Sequence, residues 1–151
     1  MKEIPESEAR DLLVPGLVCE GCDDWQSKQV QPGTVFAGGG VVDSHGLGTR
    51  LIVDLLFRRE QKTRFITYTF TVFRRNPLGR ERIYQLAVTR TPKPLKDAHR
   101  RSHEHVGDKR YPGSAEWDNW EYDEILDYFC AKTNISFRPR PPHPEHFQLK
   151  G

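Results

Sequence analysis

A chain of 151 residues, 36% hydrophobic and 29% charged, is long enough for one domain with a true core, and its 11% of clustered aromatic side chains argues against full disorder. No apolar run approaches the ~18–20 residues that cross a bilayer, the acidic start lacks an apolar secretory core, and three cysteines fit reduced thiols better than a disulfide framework, so the expectation is a soluble cytoplasmic protein. The formal net charge of +2 conceals an asymmetry: residues 34–110 carry 16 basic and 7 acidic side chains while both flanking segments are net acidic, so the middle of the chain suits a polyanion, or merely solvates the outer faces of strands.

In chain order, residues 6–13 suit a short helix stopped by Val14-Pro15-Gly16. Cys19-Glu-Gly-Cys22 follows, a C-x2-C spacing that can form a zinc-binding turn; no second such pair exists, Cys130 and a histidine such as His45 could complete it although nothing in the spacing requires them, and two free thiols are the plainer reading. Residues 1–33 therefore read as an acidic N-terminal extension carrying this turn. Ala37-Gly-Gly-Gly40 lacks the Gly-Lys-Ser/Thr of a phosphate loop and points to a bulged or bent strand.

Three runs then read as strands: 50–58, 64–74 and 82–90. Alternation in the second puts Ile66, Tyr68, Phe70 and Val72 on one face, and in the third sets Tyr84, Leu86 and Val88 opposite Ile83, Gln85 and Ala87. Short connections favour an antiparallel meander. After Thr91-Pro-Lys-Pro94, Asp118 with Glu121 three residues on fits a capping box, and Tyr122, Ile125, Leu126 and Phe129 form one apolar stripe of a helix. Residues 136–151 read as a proline-rich arm that packs back on the domain through Phe137, Phe147 and Leu149, or else serves as a ligand of the SH3 type. The expected fold is a single α+β domain: a meander sheet of about four or five strands against one main C-terminal helix.

The densest chemistry lies in residues 97–110, where His99, His103 and His105 sit among Arg100, Arg101, Lys109 and Arg110 and the carboxylates of Asp97, Glu104 and Asp108. Two backbone readings group the histidines differently. A short helix capped by Asp97 aligns His99 with His103, whereas an extended segment aligns His103 with His105, roughly 6–7 Å apart. Two imidazoles titrating near neutral pH suit metal-free cleavage of RNA, one as base and one as acid, with the arginines and lysine on the phosphate. Metal-assisted hydrolysis by the histidines and a carboxylate is a second reading, although the order is not the H-E-x-x-H of zinc peptidases, and a solvated charged loop is a third.

The succession of a strand run ending in Arg82-Ile-Tyr84-Gln-Leu86, then His103-Glu-His105, then Trp120-Glu-Tyr-Asp-Glu-Ile125-Leu126-Asp-Tyr-Phe129 resembles the TumE-type small toxins of bacterial toxin–antitoxin pairs. The resemblance covers about residues 50–132, and its chemically specific part is the His-x-His pair. It implies a candidate ribonuclease with His103 and His105 in its site, RNA as substrate, a cognate antitoxin as possible partner, and no cofactor. The alternative is a non-catalytic interaction or inhibitor protein, phage- or defence-related, that binds through its basic central face.

Overall fold

The computed structural model describes residues 2–28, 30–91 and 101–146. His99, Arg100, Asp97, Phe147 and Leu149 lie outside the described residues.

The chain is mixed α+β and is built on one sheet. Strand β1 (Lys2–Glu3) leads into helix α1 (Glu6–Leu12), then β2 (Leu17–Glu20), β3 (Gln26–Ser27), β4 (Thr34–Val42), β5 (Gly48–Arg59), β6 (Ile66–Asn76) and β7 (Gly79–Arg90). Beyond residue 100 come β8 (His103–Val106), β9 (Lys109–Pro112), a 3-10 turn (Ala115–Asn119), α2 (Tyr122–Thr133) and β10 (Ile135–Arg138). The strand order is β10-β2-β4-β5-β6-β7-β8-β9, with β1 added to β7 and β3 to β4, ten strands among the described residues instead of the four or five expected. The β4–β7 core is the antiparallel meander. The extra strands come from short segments that alternation does not reveal. The acidic N-terminal segment supplies β2, parallel to β10 and antiparallel to β4, so it is part of the sheet and not an appendage.

Alternation decides the two faces. Leu51, Val53, Leu55 and Phe57 of β5, Tyr68, Phe70 and Val72 of β6, and Tyr84, Leu86 and Val88 of β7 are all buried on the inner face. Helix α2 closes that face with Tyr122, Ile125, Leu126 and Phe129. The Phe129 ring meets Phe70 and Tyr84, each at 5.8 Å between centroids, and Tyr122 meets Phe70 at 6.4 Å. Truncating such a buried phenylalanine to alanine costs about 3–5 kcal/mol.

The helix starts later than expected. Asp118 falls in the 3-10 turn, and Glu121 caps α2 with Glu124 at N3 in a reciprocal capping box. Two overlapping Asp/Glu pairs match the motif, and the second carries the helix even though glutamate is not among the favoured cap residues. At the other end, Asn134 takes the left-handed conformation that ends a helix.

The glycine run has a physical cause. The β4–β5 register shifts between Gly40 and Val42, which is the expected bulge. Gly39 faces inward against β2, where an added Cβ would stand 2.8 Å from the Glu20 carbonyl oxygen and 3.1 Å from Cys19 Sγ. The expected arm from residue 136 begins inside β10, where Phe137 packs against the core; Phe147 and Leu149 are not described, and beyond β10 the chain is held by backbone carbonyls, Trp25 Nε1 donating to Pro142 O at 2.7 Å and the Tyr122 hydroxyl to Pro141 O at 2.8 Å.

Candidate functional site

The histidine segment is extended. In β8, Glu104 and Val106 point inward and His103 and His105 outward, because β8 continues the pleat of β7: His105 stands opposite Gln85 and His103 opposite Ala87. The second of the two backbone readings is therefore the one observed for His103 and His105. Their ring centroids lie 5.0 Å apart, nearly perpendicular.

Three anchors hold this four-residue strand. At its start, the Thr89 amide donates to Ser102 Oγ at 3.0 Å, and Ser102 Oγ donates to Asp118 Oδ1 at 3.3 Å. In the middle, the buried Glu104 carboxylate accepts from the Tyr84 hydroxyl at 2.7 Å and the Tyr128 hydroxyl at 2.9 Å, with Lys132 Nζ at 3.8 Å. Burial pushes the Tyr84 hydroxyl far up, and the neighbouring carboxylate adds to this, so it remains a donor. At its end the Gly107 amide donates to Ile83 O at 2.8 Å. Gly107 adopts φ +57°, and an added Cβ there would meet the Ile4 carbonyl oxygen at 2.6 Å, so the β8–β9 turn admits only glycine in this arrangement.

The two histidines have opposite tautomers. His103 Nδ1 lies 2.7 Å from the Arg101 carbonyl oxygen, which only accepts, so Nδ1 carries the hydrogen and Nε2 holds the lone pair in the neutral ring. His105 Nδ1 lies 3.3 Å from Arg82 Nη2, which only donates, so Nδ1 accepts and Nε2 carries the hydrogen. Burial, with the Arg82, His103 and Arg110 charges added, pushes His105 down to about 4. The expectation of two imidazoles titrating near neutrality fails for His105: it is a neutral N–H donor there.

The expected phosphate contacts are divided. Arg110 pairs with His105 and shares its face; Lys109 pairs with Val106 on the other side, near the Glu6 carboxyl, which the Tyr111 hydrogen bond holds low with Arg10 and, least, Lys109 adding to it. Arg101 is exposed at the start of β8. Arg82 was not expected at the site. Simple alternation places it with Tyr84, but a bulge at Ile83 reverses the parity of β7, so Arg82 pairs with Phe73 and turns to the histidine face. Its guanidinium is also held by Glu3 at 2.6 Å. Gln85 completes the floor, donating through Nε2 to Thr71 Oγ1 at 3.0 Å.

Cys19 and Cys22 are both fully buried, and hydrogen bonding to Cys19 together with burial pushes the Cys22 thiol far up. Among the described residues no group of three or more histidine, cysteine, aspartate or glutamate side chains gathers in a metal-binding arrangement. His45 sits in the exposed β4–β5 turn, its amide bonded to Asp43. No helix among the described residues is long and apolar enough to cross a membrane.

Comparison with family models, curated proteins and solved structures returns no match for this chain.

Proposed function

We propose that the chain binds single-stranded RNA over the outer face of β7–β9 and cleaves it without a metal. The observation that carries this reading is the tautomer split across a 5.0 Å histidine pair. His103 Nε2 takes the proton of a 2′-hydroxyl, whose oxygen then attacks the adjacent phosphorus. His105 Nε2–H, with Arg110 beside it, donates to a non-bridging phosphate oxygen as negative charge builds there. The 5′-oxygen leaves with a proton from solvent, giving a 2′,3′-cyclic phosphate. His105 is thus an oxyanion donor and not the general acid. The choice of RNA and of a neutralising antitoxin as partner follows from the likeness to TumE-type toxins in the order of parts.

The test is incubation of the purified chain with single-stranded RNA in the presence of a chelator. Cleavage to cyclic phosphate is expected, and His103→Ala with retained folding should reduce it by roughly 10²–10⁴-fold, the usual worth of a general base. Undiminished cleavage by that variant sinks the reading.

The alternative is a non-catalytic docking face for a protein partner. Its specific support is the anchoring of His105 through Arg82 to Glu3, which makes one imidazole part of the fold. It requires that His103→Ala leave biological activity intact while charge reversal at Arg101 and Arg110 removes it.

A further inference from the structure

The outer face holds a second feature three strands away from the histidines. Asp54 of β5 pairs with Gly38 of β4 and Thr71 of β6, and it points away from the core. It lies in a cleft of about 470 Å³ with Phe36, Phe73, Lys28 and Arg80 in its walls. That volume falls within the roughly 300–1,000 Å³ of small-molecule sites. Gly38, its cross-strand partner on β4, adds no side chain to the cleft.

Among the described residues no hydrogen bond or ion pair reaches the Asp54 carboxylate, and burial raises its affinity for a proton, with Lys28 and Arg80 opposing this by charge alone. The carboxylate oxygens are not among the buried atoms that lack a partner, so water reaches them, and a ligand that brings two N–H groups can take that water's place. Two features narrow the ligand. The half-buried Phe36 ring and the Arg80 guanidinium, which lies over the buried Phe73 ring at 5.4 Å, offer flat surfaces for stacking. Lys28 and Arg80 offer positive charge to an anionic group of the ligand, while Asp24 and Asp54 give the same cleft its negative charge. Among nucleobases only guanine sets a ring N–H and an amino N–H side by side to match both oxygens of one carboxylate.

We propose that the Asp54 cleft is a guanine-selecting subsite for a nucleotide, the phosphate lying toward Lys28 and Arg80. This deepens the RNA reading and rests on it for the polymer. The same cross-strand row runs Gly38, Asp54, Thr71, Gln85, His105, Arg110. Asp54 and His105 are three strand spacings apart, about 14 Å along the sheet. A few nucleotides of single strand bridge that distance, so a base held at Asp54 places a nearby phosphodiester at His103 and His105.

The experiment titrates GMP, IMP, AMP, CMP and UMP into the full chain, followed by NMR. GMP should bind about ten-fold or more tightly than the others, IMP included because it lacks the amino group, as expected of one bidentate contact. Asp54→Asn should remove that preference without loss of fold, since the carboxylate makes no structural hydrogen bond. Equal affinities, an unchanged preference in Asp54→Asn, or tighter binding of an arginine-containing peptide than of GMP would overturn the proposal, the last assigning the cleft to a peptide. His103→Ala separates the two readings: it should reduce cleavage by the same roughly 10²–10⁴-fold and leave the GMP preference intact. RNA cleavage with no guanine preference refutes only the subsite, and an Asp54-dependent GMP preference in a chain that does not cleave refutes only the chemistry.

Discussion

Glu104→Ala tests whether the histidine strand is held from beneath. In the native chain the carboxylate is 6% exposed and takes hydrogen bonds from two tyrosines. Hydrogen bonds to a charged acceptor contribute about 1.5–3 kcal/mol each, and an orphaned buried hydroxyl costs about 1–3 kcal/mol. Tyr84 is almost wholly buried and would be orphaned; Tyr128 is half-buried and can turn to water. The exposed ammonium of Lys132 at 3.8 Å adds little. The expected loss is therefore about 3–5 kcal/mol, or roughly 6–20 °C in melting temperature for a chain of this size. Glu104→Gln keeps an acceptor and should lose less than half of that. Glu104→Leu combined with Tyr84→Phe removes both partners and should recover part of the loss, because no buried donor remains unpaired. Urea unfolding with an unchanged slope is the assay. A Glu104→Ala cost below about 1 kcal/mol, well under the hydrogen-bond range, would show that the tyrosine pair is not what fixes β8.

Titration followed by NMR should place the His105 imidazole near 4, and Arg82→Gln should move it up toward its ordinary value; a midpoint close to 6.5 in the native chain refutes the neutral-donor role. Because this folded value lies below the unfolded one, the folded state binds fewer protons between the two, and His105 should cost the protein stability as pH falls from about 6.5 to about 4, an effect absent in His105→Asn. Asp54 has the opposite behaviour: its raised value means protons favour the folded state, so Asp54→Asn should raise the melting temperature at neutral pH and not below the ordinary carboxylate range. Alkylation of the folded chain should leave Cys19 and Cys22 unmodified, both being fully buried, and label them only on unfolding; rapid native labelling of either would contradict their placement.

Much of the inner face was readable from the sequence, because period-two and period-3.6 patterns both report burial. The alternation of β6 and the stripe of α2 place Tyr68, Phe70, Ile125 and Phe129 where they are found. The strands that were missed have two to four residues each, too few for a period, and they depend on partners distant in sequence: β2 on β4 and β10, and β10 on β2. The site was half legible. His103 and His105 share a face by simple parity, and so does Arg110 once the turn at Gly107 sets the register. Arg82 was hidden because one bulge residue inverts the strand around it, a change no local pattern reports. Lys109 looked equivalent to Arg110 until the register separated them. Asp54 carries no local signal at all. One acidic residue within an apolar strand reads as a polar position, and its significance depends on Gly38 standing opposite it in a neighbouring strand.

That His103 and His105 belong to a strand, and not to a loop, changes what they can do. A loop would have to order its imidazoles at the moment of binding, with the attendant entropy cost. In β8 the pleat sends one residue inward for each one sent outward, so Glu104, held by two tyrosine hydroxyls, fixes both of its neighbours. The histidine geometry is then set before any ligand arrives, which is the condition under which an N–H donor stabilises developing charge without reorganising. The same arrangement links stability to function: a change at Glu104, Tyr84 or Tyr128 reaches the outer face through the backbone of four residues, although none of the three side chains points there.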